Sequence, residues 1–176
     1  LITYYIWHLA SFKSIKYQQL IQICSALVES IVLYAAEAWG AFVSWNFGSW
    51  DYSLFERVNF KCCKAILQLS PKTDNNGART EVGKLPLLFN IQRKCLKYWN
   101  SIKSRPDSII AQLIKDESYS GIGVRKKMQE PILRQCLSAP NDTTARQLGE
   151  HKNLFIKEFT SYWHNRVEKS QKLKHF

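Results

Sequence analysis

Apolar side chains recur at three- and four-residue spacing along most of this chain, a pattern that predicts helices rather than strands. From Gln18 to Trp39 the positions Leu20, Cys24, Leu27, Val28, Ile31, Leu33, Tyr34, Ala35 and Ala38 cover a wide helical face. One mostly buried helix is expected there, closed by Gly40. Carried on to Val43, the run approaches the length of a membrane span. Glu29 and Glu37 lie inside it, and a carboxylate at mid-membrane costs about 2.5–3.5 kcal/mol. A buried helix is therefore expected, with no membrane partner.

The rest of the chain repeats the pattern. Ser53-x-x-Glu56 has the form of a capping box, in which the serine oxygen accepts the backbone N–H of Glu56 and the glutamate reaches back. The helix it opens places Phe55, Val58, Cys62, Ile66 and Leu69 on one face and stops at Ser70-Pro71. Residues 71–77 form a turn cluster, followed by a short helix over 78–82 that Gly83 can close in the left-handed conformation. Pro86 suits the first turn of the next helix. That helix turns Leu88, Ile91, Cys95, Tyr98, Trp99 and Ile102 inward, and Arg93, Lys94, Lys97 and Lys103 outward. Further helices are expected over 108–117, over 124–137 with a kink at Pro131, and over 153–173. Leu1 to Trp7 is the one β-prone stretch.

These elements predict an all-α, multi-helix bundle made of two small sub-bundles, residues 1–103 and 104–176, with the seam near Lys103 to Pro106. The hydrophobic fraction of 45% is enough to build a core. Leu1 opens the chain and its single methionine is Met128, so either a fragment or an incomplete gene model is expected. No basic segment precedes an apolar run, and a signal peptide is not expected. The five cysteines show no Cys-x-x-Cys or zinc-knuckle spacing, and Cys24, Cys62 and Cys95 fall on apolar stripes. Reduced core thiols in an intracellular protein, nuclear or cytoplasmic, are the expectation.

Charge changes the picture more than composition does. The net charge is +11. Of 25 basic and 14 acidic residues, only three basic and four acidic ones lie in the first 60, so the excess is carried by the remainder. Such a balance points to an anionic partner, nucleic acid first and an acidic membrane surface second. Lys61 and Lys64 share a helix face, as do Arg93, Lys94 and Lys97. Lys84 follows Gly83, and Arg125, Lys126 and Lys127 follow the break at residues 120–123. These nine are the candidate phosphate contacts. Trp39, Trp99 and Trp163 lie on apolar stripes and are expected in the core; Trp45 and Trp50 sit in an aromatic loop that can cap the bundle or dock a partner. Glu37 and Glu81, set among apolar neighbours, need basic partners, for which Arg57 and Arg79 are the candidates.

Catalytic sets are missing from the sequence. Polymerase chemistry needs carboxylates converging on metal ions. The five aspartates here include no adjacent acidic pair except Asp116-Glu117, at a helix end. No Gly-rich phosphate loop is present, and no metal site, cofactor or nucleophile–base order stands out.

One ordered set of residues is specific. It runs through Leu27 to Gly40, with Tyr34-Ala35-Ala36-Glu37-Ala38-Trp39-Gly40. Phe55-Glu56-Arg57 and Lys61-Cys62-Cys63-Lys64 come next, and Glu81-Val82-Gly83-Lys84-Leu85-Pro86-Leu87 and Lys97-Tyr98-Trp99 complete it. It resembles the region just after the polymerase core in reverse transcriptases of LINE-type (non-LTR) retrotransposons. The tail Phe159-x-x-x-Trp163 with Lys172-Leu173 is similar to the end of many such polyproteins. The resemblance implies that residues 1–103 are a thumb-like helical segment of an RNA-directed DNA polymerase and 104–176 a C-terminal helical extension. It also implies that the polymerase aspartates lie upstream, outside this chain. Template RNA or RNA–DNA duplex and the upstream polymerase core would then be the partners. Lys61, Lys64, Lys84, Arg93, Lys94 and Lys97 would grip the backbone. Two departures stand out: Ala35 follows Tyr34 where the family commonly has glycine, and Lys84 stands where it commonly has arginine. An alanine favours continued helix; a lysine keeps charge but loses bidentate geometry. The expected function is thus a non-catalytic grip on nucleic acid. A helical docking or self-association module and a helix-turn-helix DNA binder over Arg79 to Lys97 are the alternatives.

Overall fold

A computed structural model describes residues 2–11, 15–40, 46–105, 107–109, 112 and 144–169. The protein is all-α, a multi-helix bundle, with no strand among the described residues. The helices in chain order are α1 (Ile2–Ser11), α2 (Tyr17–Cys24), α3 (Ser30–Val32), α4 (Ala36–Trp39), α5 (Phe47–Asp51), α6 (Leu54–Ile66), α7 (Asn75–Val82), α8 (Leu87–Lys103) and α9 (Thr144–Lys169); a π-helical turn, Ser25–Glu29, joins α2 to α3. Among the described residues no helix is long and apolar enough to cross a membrane.

Two compact units divide the chain. One holds Leu1–Tyr34, Asn46–Leu87 and His164–Phe176; the other holds Ala35–Trp45 and Leu88–Trp163. The grouping interleaves the sequence, unlike the seam expected near Lys103 to Pro106, because contacts and not chain order define a core.

In the first unit, α1, α2 and α6 pack around Ile6, Leu20, Cys24, Val28, Cys62, Ala65 and Ile66, and α7 packs on α6 through a second cluster of Cys63, Ala78 and Val82. Leu9, Ile15, Ile21, Val32 and Val58 close the edges of that core. The β-prone start is helical instead: Ile6 on α1 is buried in this core, and apolar burial outweighs a weak local propensity. Ser53 caps α6 as expected, its Oγ accepting the N–H of Glu56 at 3.2 Å. The reciprocal half of the box is absent, because the Glu56 carboxylate is engaged inside the unit. Asp74 caps α7 by accepting the N–H of Gly77 at 2.8 Å, which starts this helix three residues before Ala78. Gly83 closes it at φ +72°, and the N–H of Lys84 reaches the carbonyl of Arg79 at 3.1 Å.

The long helix expected from Gln18 to Trp39 is interrupted twice. The backbone widens into the π turn and then breaks at Ala35, which has φ +50°. A left-handed alanine costs roughly 1–2 kcal/mol, so Ala35 sits where glycine fits best. Tertiary packing supplies the reason. In the second unit the Cys95 thiol donates to the carbonyl of Ala36 at 3.4 Å. Gly40 lies so close to α8 that an added Cβ would sit 2.5 Å from Ile91 Cγ2 and 2.8 Å from Cys95 Sγ. Gly40 has φ −63°, so its role is close approach and not a left-handed helix end. Leu88, Ile91, Cys95, Leu96 and Phe155 are fully buried here. Residues 113–143, and with them the expected helix over 124–137, lie outside the described residues.

Candidate nucleic-acid interface

The first basic group is mounted on α6. Arg57, Lys61 and Lys64 recur at four- and three-residue spacing, which keeps them on one side of the helix. Arg57 and Lys61 are exposed; Lys64 is half-buried. The opposite side carries Cys62, Ala65 and Ile66 into the core, so burial of α6 fixes where its cations point. Lys64 Nζ donates to the carbonyl of Pro71 at 2.8 Å. Burial pushes its ammonium below the usual lysine value, with the Asp74 charge opposing.

Lys84 is turned inward. Its Nζ lies 2.7 Å from Glu29 Oε1, 3.2 Å from Ser25 Oγ and 3.8 Å from Cys24 Sγ. Burial alone would lower this ammonium; the Glu29 carboxylate together with Cys24 and Cys63 outweighs it and raises the value. With its charge met by Glu29 and only a tenth of its side chain exposed, Lys84 is held for the fold and not offered to a phosphate.

The second basic group is on α8, in the other unit. Arg93 and Lys97, one helical turn apart, are exposed. Lys94, half-buried, pairs with Glu37 at 3.8 Å. Arg125, Lys126 and Lys127 lie outside the described residues. Of the nine candidates, the structure thus leaves Lys61, Arg93 and Lys97 presented to solvent and engages Lys64, Lys84 and Lys94. Arg57 joins the exposed set. The sequence reading assigned it to a buried glutamate, although its four-residue offset from Lys61 was the signal that placed it on the basic side.

The buried acids differ from those expected. Glu81 is exposed and Glu37 partly so. The fully buried carboxylate is Glu56, which accepts from Arg79 Nη1 at 2.6 Å, Trp50 Nε1 at 2.6 Å, Asn59 Nδ2 at 2.9 Å and the N–H of Leu87 at 2.9 Å. Asp51 accepts from Asn76 at 3.2 Å and from Arg166 at 2.8 Å, with Arg79 at 3.4 Å. Arg79 is itself completely buried and lies over the Phe60 ring, 4.9 Å from its centroid. Trp50, unsettled in the sequence, is thereby a core residue. Trp39, Trp99 and Trp163 are half-buried, and Trp45 lies outside the described residues. Among the described residues no group of three His, Cys, Asp or Glu side chains is arranged to hold a metal ion.

The chain matches no family model, no curated protein and no solved structure. Its chemistry is therefore read from its own side chains. Exposed guanidinium and ammonium groups on helices anchored by an apolar far side can meet phosphate oxygens at little cost in order.

Proposed function

We propose that this chain is a non-catalytic helical grip on nucleic acid, a segment of a LINE-type reverse transcriptase polypeptide that holds RNA or RNA–DNA duplex by its phosphates. One observation carries the reading: Arg57 with Lys61 on α6, and Arg93 with Lys97 on α8, are exposed cations one turn apart on helices whose other sides are core. Contacts of this kind carry charge but no base readout, so binding is indifferent to sequence. The helix-turn-helix alternative gains nothing from α7, where Arg79 is fully buried and Asn76 and Ala78 face the interior.

A mobility-shift titration with duplex RNA tests the grip. Two phosphate contacts from either pair alone predict a loss of affinity of about tenfold between roughly 50 and 200 mM salt. Replacing Arg57 and Lys61 by Gln lowers the salt slope by about two, while the slope is unmoved by Lys84→Gln. Salt-independent binding, or none, overturns the proposal.

A docking or self-association module is a second reading, favoured by one observation. Leu27, Ile31 and Tyr34 succeed one another along the π turn, α3 and the turn after it and are 49%, 66% and 80% exposed. Concentration-dependent oligomers in light scattering, without RNA affinity, decide for it.

A further inference from the structure

The basic row on α6 begins with two apolar side chains left in water. Tyr52, in the turn just before the Ser53 cap, is 79% exposed, and Leu54, the first residue of α6, is 71% exposed. Leu54, Arg57 and Lys61 stand at positions i, i+3 and i+7 and so share one side of the helix. Tyr52 is two residues before Leu54, and chain geometry holds their Cα atoms within about 7 Å. An aromatic ring and an aliphatic side chain thus head a row of exposed cations.

The turn that carries them is fixed. The N–H of Tyr52 donates to the carbonyl of Ser49 at 3.3 Å, and that of Ser53 to the carbonyl of Trp50 at 2.8 Å. Trp50 Nε1 donates across the turn to Glu56 Oε2 at 2.6 Å, and the Trp50 ring stacks on Phe55 with centroids 6.1 Å apart. Trp50 and Asp51, just before Tyr52, are buried. The Tyr52 ring is therefore offered from a pinned backbone, and with two rotatable bonds it loses little freedom on contact. The stripe of Leu27, Ile31 and Tyr34 differs, since no Lys or Arg occurs between Lys16 and Arg57. An apolar protein surface laid over Tyr52 and Leu54 would also cover Arg57 and strip its water. A strand of RNA gives the ring a base and the guanidinium a phosphate.

We propose that Tyr52, with Leu54 beside it, is a base-stacking platform, and that the strand lying on the α6 row is unpaired RNA. The inference rests on the reading of the chain as a nucleic-acid grip and narrows its ligand at α6. A base inside a blunt duplex is stacked on both faces and offers none to a protein ring, whereas an unpaired base can be splayed onto an aromatic side chain. The phosphates that follow the stacked base then meet Arg57 and Lys61. Every base has a face to stack, so the platform adds affinity without sequence readout.

The test titrates the full chain, by fluorescence anisotropy, against labelled single-stranded oligouridylate and against a blunt RNA duplex. Tyr52→Ala is expected to bind oligouridylate about tenfold more weakly than the parent. Its slope of log affinity against log salt is unmoved, because stacking releases no counterion. Tyr52→Phe keeps the ring and binds like the parent. On the blunt duplex the parent and both variants bind alike. The ring lies outside the core, so neither substitution removes buried packing. Parent-like oligouridylate binding by Tyr52→Ala, a Tyr52→Phe as weak as Tyr52→Ala, or an equal loss on the blunt duplex overturns the inference. In each of these cases salt-dependent binding by the parent leaves the grip standing, whereas no binding by the parent overturns both.

Discussion

Two buried polar sites, one in each unit, handle the same problem differently. In the first unit Arg79, Glu56 and Asp51 are charged, and the acids are met several times over: by one another's partners, by Asn59, Asn76 and Trp50, and by the N–H of Leu87. In the second unit His151 and Gln92 are neutral amphiphiles sharing one bond, Nε2 to Oε1 at 3.0 Å. Both are fully buried, and His151 Nδ1 and Gln92 Nε2 have no hydrogen-bond partner among the described residues. Phe89 stacks on the His151 ring at 5.5 Å and Phe155 packs beside it at 6.1 Å. Charge was tolerated inside the first unit with the acids bonded several times over and Arg79 bonded through both Nη atoms, its Nε alone being without a hydrogen-bond partner among the described residues, because an unpaired buried ion costs several kcal/mol. A neutral pair can be left half-bonded at a cost of about 1–3 kcal/mol, which aromatic packing can offset. The first site specifies an arrangement; the second merely survives burial.

The largest effect that would break this contrast lies at Arg79. Arg79→Met leaves Glu56 without its cation in the interior while Asp51 keeps Arg166, and we expect a loss of about 3–5 kcal/mol in urea unfolding. A loss below about 1 kcal/mol would mean that the network is worth no more than an exposed ion pair. The second test is acid. Burial, with the Arg93 charge adding to it, pulls His151 down from 6.5 to about 4. Between those values the unfolded chain binds the proton and the folded chain does not. The stabilisation is therefore complete above about pH 6.5 and is lost as pH falls towards 4, to a total of about 3 kcal/mol. Stability curves across that window should be flatter by this amount when Gln92→Leu and His151→Phe are combined; equal slopes would place the imidazole in water. The smallest effect is the neutral-pH stability of that double variant. Removing both halves of an unsatisfied pair should leave it within about 1 kcal/mol of the parent, or above it, whereas a larger loss would show that the His151–Gln92 bond organises the second unit after all.

Helix type was legible from spacing, and so was facing on α6 and α8, whereas Leu27, Ile31 and Tyr34, expected on the buried face of the Gln18 to Trp39 run, are exposed. The inward set on α8, the Ser53 cap, the left-handed Gly83 and the apolar side of α6 all follow from local rules that the chain obeys. The outward pointing of Lys61, Arg93 and Lys97 came with them, since burying one side of a helix leaves its opposite side in water. Spacing could not show that Lys84 turns inward. It follows a helix end, where periodicity stops, and its place is set by Glu29, 55 residues earlier. Nor could spacing pick Glu56 over Glu37 as the buried acid. Glu56 reads as an ordinary cap residue until Trp50, Asn59, Arg79 and Leu87 converge on it.

By itself, then, the sequence determined an all-α chain with cations on the outward sides of its helices, because period, caps and charge act over a few residues. Only the tertiary structure decided which charges are spent inside, where the Gln18 to Trp39 run breaks at Ala35, and that Cys24 and Cys62 share one core. Those outcomes depend on residues far apart in the chain. Removal from water makes their pairing compulsory, and that constraint appears only once the helices have packed.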